Sequence, residues 1–128
     1  MANAIPLTLA ALIAMGIMVI GCLYLASPEK IVGGFGLNPP ATDAATRAWL
    51  RLKGTRDIAS GLVVLTMMLA ANKRAAGLVL LVYAIIPFGD MCVVLGSHGS
   101  KTKAFSIHGI TCAVMLVVGV LLIHAEGL

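Results

Sequence analysis

From Ile5 to Ala26 the chain runs for 22 positions without a charged side chain. As a helix, at about 1.5 Å per residue, such a run is about 33 Å long, close to the ~30 Å hydrocarbon thickness of a bilayer. Three more runs of similar length follow. The second covers 48–71, and its last part, Ile58 to Ala71, is uncharged. The third covers Ala75 to Leu95 and the fourth Ala104 to Ile123. All are rich in Leu, Met, Val and Ala and lack the strict alternation of a membrane β-strand. The sequence therefore predicts an all-α fold. It is a four-transmembrane-helix antiparallel bundle in a single domain, 1–128, with a Pro/Gly-rich loop between helices 1 and 2.

Composition removes the competing classes. Hydrophobic residues make up 60% of the chain and charged residues 11%, against ~25% charged in a typical soluble domain. Disorder needs the opposite balance. Three cysteines cannot staple a disulfide framework of this size. The first run lacks a basic leader and exceeds the about 7–15 residues of a signal-peptide core, so it reads as a retained span.

The connections differ in character. Asn72, Lys73 and Arg74 form a tight turn between the second and third runs, and Gly96 to Lys103 forms a polar loop. Ser27 to Asp43, "SPEKIVGGFGLNPPATD", is longer and holds Ile31, Val32, Phe35 and Leu37 among its prolines and glycines. Such a segment belongs at the headgroup level or across one mouth of the bundle. "GGFG" is too short and wrongly placed for a nucleotide loop. Thr42 or Asp43 is positioned to cap the helix that follows, near Ala44. Lys30, Arg47, Arg51, Lys101 and Lys103 lie on one side of the membrane, with Lys73 and Arg74 on the other. The positive-inside rule then puts the two longer loops in the cytoplasm, and both termini outside the cell membrane. The net charge of +4 suits membrane lipids as partners. No basic helix with interleaved aromatics is present, so no nucleic acid is expected.

The few polar residues inside the runs carry the functional argument, because ionisable groups there are costly. Arg56 and Asp57 fall roughly 9–10 Å inside the second span, Asp90 roughly 8 Å inside the third and His108 roughly 6 Å inside the fourth. All four enter from the loop side, as does Tyr24, and in a bundle with polar faces inward they would meet. Trp49, Lys53, Arg56 and Ser60 follow one another at helical steps of four, three and four, one stripe of a helix. Tyr83 and Asp90 share a face, with Pro87 between them to kink the helix. Cys112 shares a face with His108. Catalytic roles are assigned to Asp57, Asp90, Arg56 and His108. Substrate contacts are assigned to Tyr24, Trp49, Lys53, Ser60, Tyr83 and Cys112. No cofactor is expected, and no metal, since Cys22, Cys92 and Cys112 lack ligand spacing.

The run "KGTRD", Lys53 to Asp57, followed by "SGL", with Asp90 late in the third span and His108 early in the fourth, resembles a family of short four-helix integral membrane proteins known as a domain of unknown function. The resemblance covers nearly the whole chain and includes the Pro/Gly-rich first loop. Small membrane proteins of this type occur in natural-product pathways, which implies a lipophilic substrate. Two carboxylates, Asp57 and Asp90, with an arginine, Arg56, between them divide acid and base work. That logic resembles the site, though not the fold, of limonene-type epoxide hydrolases. The expected function is acid–base chemistry on a lipophilic molecule, such as epoxide hydrolysis or an epoxide- or alkene-initiated cyclisation. Two other classes stay open: a proton-coupled small transporter, and a structural or accessory subunit in which the polar layer is helix glue. Small multidrug exporters match only in size, since their carboxylate lies in the first span. A homodimer is compatible with four exposed helices, although no span shows a clear GxxxG.

Overall fold

The computed structural model describes residues 4–125. Four long apolar helices pack antiparallel. They are α1 (Ala4–Ala26), α3 (Ala44–Ala71), α4 (Lys73–Gly96) and α5 (Lys101–His124). A short helix, α2 (Pro28–Ile31), runs into a 3-10 turn, Val32–Phe35, between α1 and α3.

Local chemistry sets the boundaries. The Asp43 side chain accepts a hydrogen bond of 2.8 Å from the Thr46 backbone N–H, so α3 starts at Ala44. Asn72 accepts one of 2.7 Å from Ala75 and alone forms the turn between α3 and α4. Lys73 and Arg74, expected in that turn, therefore form the first turn of α4. Ser100 caps α5, which begins at Lys101, three residues before the apolar run. Polar caps extend helices beyond their apolar runs because they satisfy the first free N–H groups. Pro87 acts as its chemistry requires. It donates no hydrogen bond to Tyr83, and α4 breaks at Ala84 into Lys73–Tyr83 and Ile85–Gly96. Two π-helical turns went unanticipated, Met67–Ala71 at the end of α3 and Ala104–Gly109 early in α5.

The helices form a square array in the order α1, α3, α4, α5, with α1–α3 and α4–α5 the tightest pairs. Glycines make that tightness. A Cβ on Gly21 would lie 2.6 Å from the Gly54 carbonyl oxygen, and a Cβ on Gly54 2.6 Å from that of Gly21. Gly77 and Gly119 meet the same way across α4 and α5. Close backbone approach of this kind drives helix association where lipid offers no hydrophobic contrast. The core is built from small residues, Ala10, Ala14, Ala76 and Ala84, around Leu80, Val64, Met115, Val118 and Leu122. The large apolar side chains point outward: Leu69 is 87% exposed, Ile85 68% and Val82 61%. A bundle with an alanine-rich core and most of its large apolar side chains facing outward suits an apolar solvent. The chain is an integral membrane protein.

Candidate functional site

The apolar core stops short of the loop end of the bundle, and a polar layer replaces it there. Tyr24 of α1 is buried, as are Asp57 of α3 and His108 of α5. Gly54, Asp57, Gly61 and Val64 are the buried positions of α3, at helical steps of three and four. They define its inner face. Lys53 flanks that face, and its Nζ donates to the Asp57 Oδ2 at 2.6 Å. The same ammonium sits 4.8 Å from the Tyr24 ring centre and 5.5 Å from that of Phe35. Cations placed over ring faces are held by the ring quadrupole.

On the opposite wall, the His108 Nδ1 lies 3.7 Å from the Asp90 Oδ2. Its Nε2 is 2.8 Å from the Phe35 carbonyl oxygen. A backbone carbonyl only accepts, so Nε2 carries a proton. The Nδ1 edge of the imidazole faces the Asp90 carboxyl. At 3.7 Å they sit at ion-pair distance, longer than a direct hydrogen bond. Asp90 lies within electrostatic reach of Lys53 and Asp57. The Asp90 side chain is 31% exposed, against 11% for Asp57.

The first loop closes the layer from above. The Phe35 ring packs on His108 with centroids 4.6 Å apart. Gly36 has φ +107°, a left-handed conformation that only glycine adopts without strain, and it turns the chain back at this point. Its carbonyl accepts from the Ser100 N–H at 2.8 Å, and Lys103 Nζ donates to the Gly33 carbonyl at 2.8 Å. Glu29 pairs with Arg47 of α3 at 3.3 Å. The loop is thus fastened to α3 and α5 and crosses the mouth of the bundle, one of the two placements the sequence allows.

Of the residues singled out in the sequence, the structure brings together Tyr24, Lys53, Asp57, Asp90 and His108. Arg56 is not among them. It is exposed on the outer face of α3, about 100° from Asp57, and among the described residues no ion pair includes it. The cation between the carboxylates is Lys53. Trp49 is 70% exposed. The Ser60 hydroxyl donates to the Arg56 carbonyl of its own helix. Tyr83 and Cys112 pack against the apolar core below the layer. Phe35 and Lys103 were missed as site residues. The signal for Phe35 was one large apolar side chain among loop glycines. Lys103 gave none, because a lysine at a helix end reads equally well as a headgroup contact. Among the described residues, no group of three or more His, Cys, Asp or Glu could hold a metal ion.

No curated protein and no solved structure matches this chain. Residues 14–122 match a family described as a domain of unknown function, DUF4267. That stretch includes Tyr24, Phe35, Lys53, Asp57, Asp90 and His108 together with most of all four long helices, and the chain is therefore a member of the DUF4267 family.

Proposed function

We propose that the chain is a membrane enzyme that performs acid–base chemistry on a lipophilic molecule, with epoxide hydrolysis as the leading reaction and epoxide- or alkene-initiated cyclisation as its close relative. One observation carries the reading: two carboxylates on different helices, each with its own basic partner, share one layer near the membrane surface. In the hydrolysis, Asp57 takes a proton from water as the water oxygen bonds to an epoxide carbon. The carbon–oxygen bond of the ring breaks. The Asp90–His108 pair gives its proton to the ring oxygen and regains one from Asp57. Epoxide plus water becomes a diol and the site returns to its starting state. The Lys53 ammonium stabilises the developing alkoxide. The excess of basic residues beside the first and last loops favours a cytoplasmic site in a cell membrane, with both chain ends outside.

The test uses the purified protein in lipid vesicles, a panel of terpenoid and long-chain epoxides, and water labelled with oxygen-18. The expected result is labelled diol from the wild type. General acid–base catalysis contributes roughly 10²–10⁴-fold, so Asp57→Asn and Asp90→Asn should each lose about that much. Arg56→Gln should keep its activity. Full turnover in both aspartate variants, or none in the wild type, overturns the hydrolysis.

A second reading has its own support. The 2.6 Å Lys53–Asp57 bond and the 2.8 Å His108–Phe35 bond leave little unsatisfied, which suits a layer whose work is to hold loop and helices together. Under that reading, the aspartate variants lose folding stability and no turnover is found.

A further inference from the structure

The outer face of α3 carries a feature that neither the polar layer nor its proposed chemistry uses. Ala44, Arg47, Ala48, Arg51, Leu52 and Thr55 line a shallow, open groove between side chains on one face of the helix. These positions recur at steps of three and four, one stripe of a helix. Three of the six are small, Ala44, Ala48 and Thr55, and the groove exists because they leave room between the longer side chains. Below it, the same stripe continues through exposed Ala59 and Leu62 into the apolar part of the helix.

Depth gives the groove its meaning. α3 has 28 residues, about 42 Å of helix, which exceeds the ~30 Å hydrocarbon core. With Ala71 at one boundary, Arg51 lies about 30 Å away, at the other. Arg47 lies one turn further out, at the level of lipid phosphates. Both arginines are exposed and face the groove. Arg47 is partly engaged, its Nε by Glu29 at 3.3 Å and one terminal nitrogen by the Thr42 carbonyl at 3.5 Å. Arg51 is in no ion pair among the described residues. A guanidinium is a fork that matches a phosphate's two oxygens, and beside a membrane its natural partner is a phosphodiester.

We propose that this groove is a binding site for one anionic phospholipid of the phosphatidylglycerol type. Its phosphate lies on Arg51, with Arg47 as the second contact, and one acyl chain runs down past Leu52 and Ala59. The charge selects an anionic over a zwitterionic lipid, because two arginines line the groove and the carboxylates beside it are engaged, Glu29 by Arg47 and Asp43 by Thr46. The site is independent of the chemistry proposed for the polar layer.

Native mass spectrometry of the protein released from micelles with equal phosphatidylglycerol and phosphatidylcholine tests this. The wild type retains the anionic lipid in preference. Arg51→Gln lowers the retained fraction about five- to tenfold, as expected for one basic residue at an anionic surface, and Arg51→Lys restores part of it. Arg47→Gln has a smaller effect. Arg74→Gln, at the far end of the bundle, leaves retention unchanged. Circular dichroism and gel filtration of each variant confirm an intact fold. Equal retention of both lipids, unchanged retention in Arg51→Gln, or an equal loss in Arg74→Gln overturns the site. Displacement of the lipid by millimolar inorganic phosphate overturns it too, since the ligand would then be the free anion.

Discussion

Removing the ammonium between the two carboxylates should cost more folding stability than removing any other cation in the chain. Lys53→Met keeps the aliphatic stem against Tyr24 and Phe35 but leaves Asp57 without the partner 2.6 Å away. Breaking a fully buried ion pair from one side costs about 3–5 kcal/mol. The Asp57 side chain is 11% exposed and that of Lys53 32%, so water reaches part of the pair and the cost falls to about 2 kcal/mol. Loss of the cation over two rings is included in that figure, at about 0.5–1 kcal/mol. The assay is unfolding by sodium dodecyl sulfate in mixed micelles, followed by circular dichroism. Arg56→Gln serves as the control and should stay within about 0.5 kcal/mol of the wild type. The double variant Lys53→Met/Asp57→Leu should recover most of the loss, because an apolar pair of similar volume often equals a buried ion pair. A neutral Lys53→Met beside a costly Arg56→Gln would refute the reasoning, as would strict additivity in the double variant.

Three further outcomes follow from the geometry. Gly54→Val should destabilise by more than about 2 kcal/mol, since its Cβ would lie 2.6 Å from the Gly21 carbonyl and 2.9 Å from Tyr24 Cβ; Gly16→Val, where nothing lies within 4 Å, should be near neutral in the same unfolding assay. The Thr46 backbone and side-chain hydrogen bonds hold the Asp43 carboxyl below its ordinary range. Its capping contribution is therefore present above that range and fades as pH falls through the lowered value, so Asp43→Ala should be less stable than the wild type near pH 7 and converge with it in acid. Phe35→Ala should uncover the polar layer, and the measurement is faster modification of His108 by diethylpyrocarbonate, with His98 as the internal standard; an unchanged rate would mean the ring does not shield the imidazole.

The four spans were legible because hydrocarbon thickness dictates run length, and the polar layer because ionisable residues stand out in such runs. The identity of its cation was not. Lys53 and Arg56 lie four residues and one residue before Asp57, and at 100° per residue only the first turns with it. The deciding information was in Gly54 and Gly61, which mark the inner face of α3, yet glycine also reads as mere flexibility. The Phe35 contact depends on how a 16-residue connection between α1 and α3 folds back, from Ser27 to Thr42 before the Asp43 cap. No local periodicity encodes that. The π-helical turn at Ala104–Gly109 carries His108, and it too leaves no mark in the pattern of residue types.

The alanine-rich interior has a consequence for traffic through the molecule. Where Gly77 meets Gly119 and Gly61 meets Ala14, a glycine lies against a backbone carbonyl, and the side chains of Met18, Leu81 and Ile123 pack beside these contacts. That half of the bundle is a solid floor. On the proposed chemistry, a substrate reaches Asp90 from the loop end or from the adjoining leaflet, where the polar layer lies.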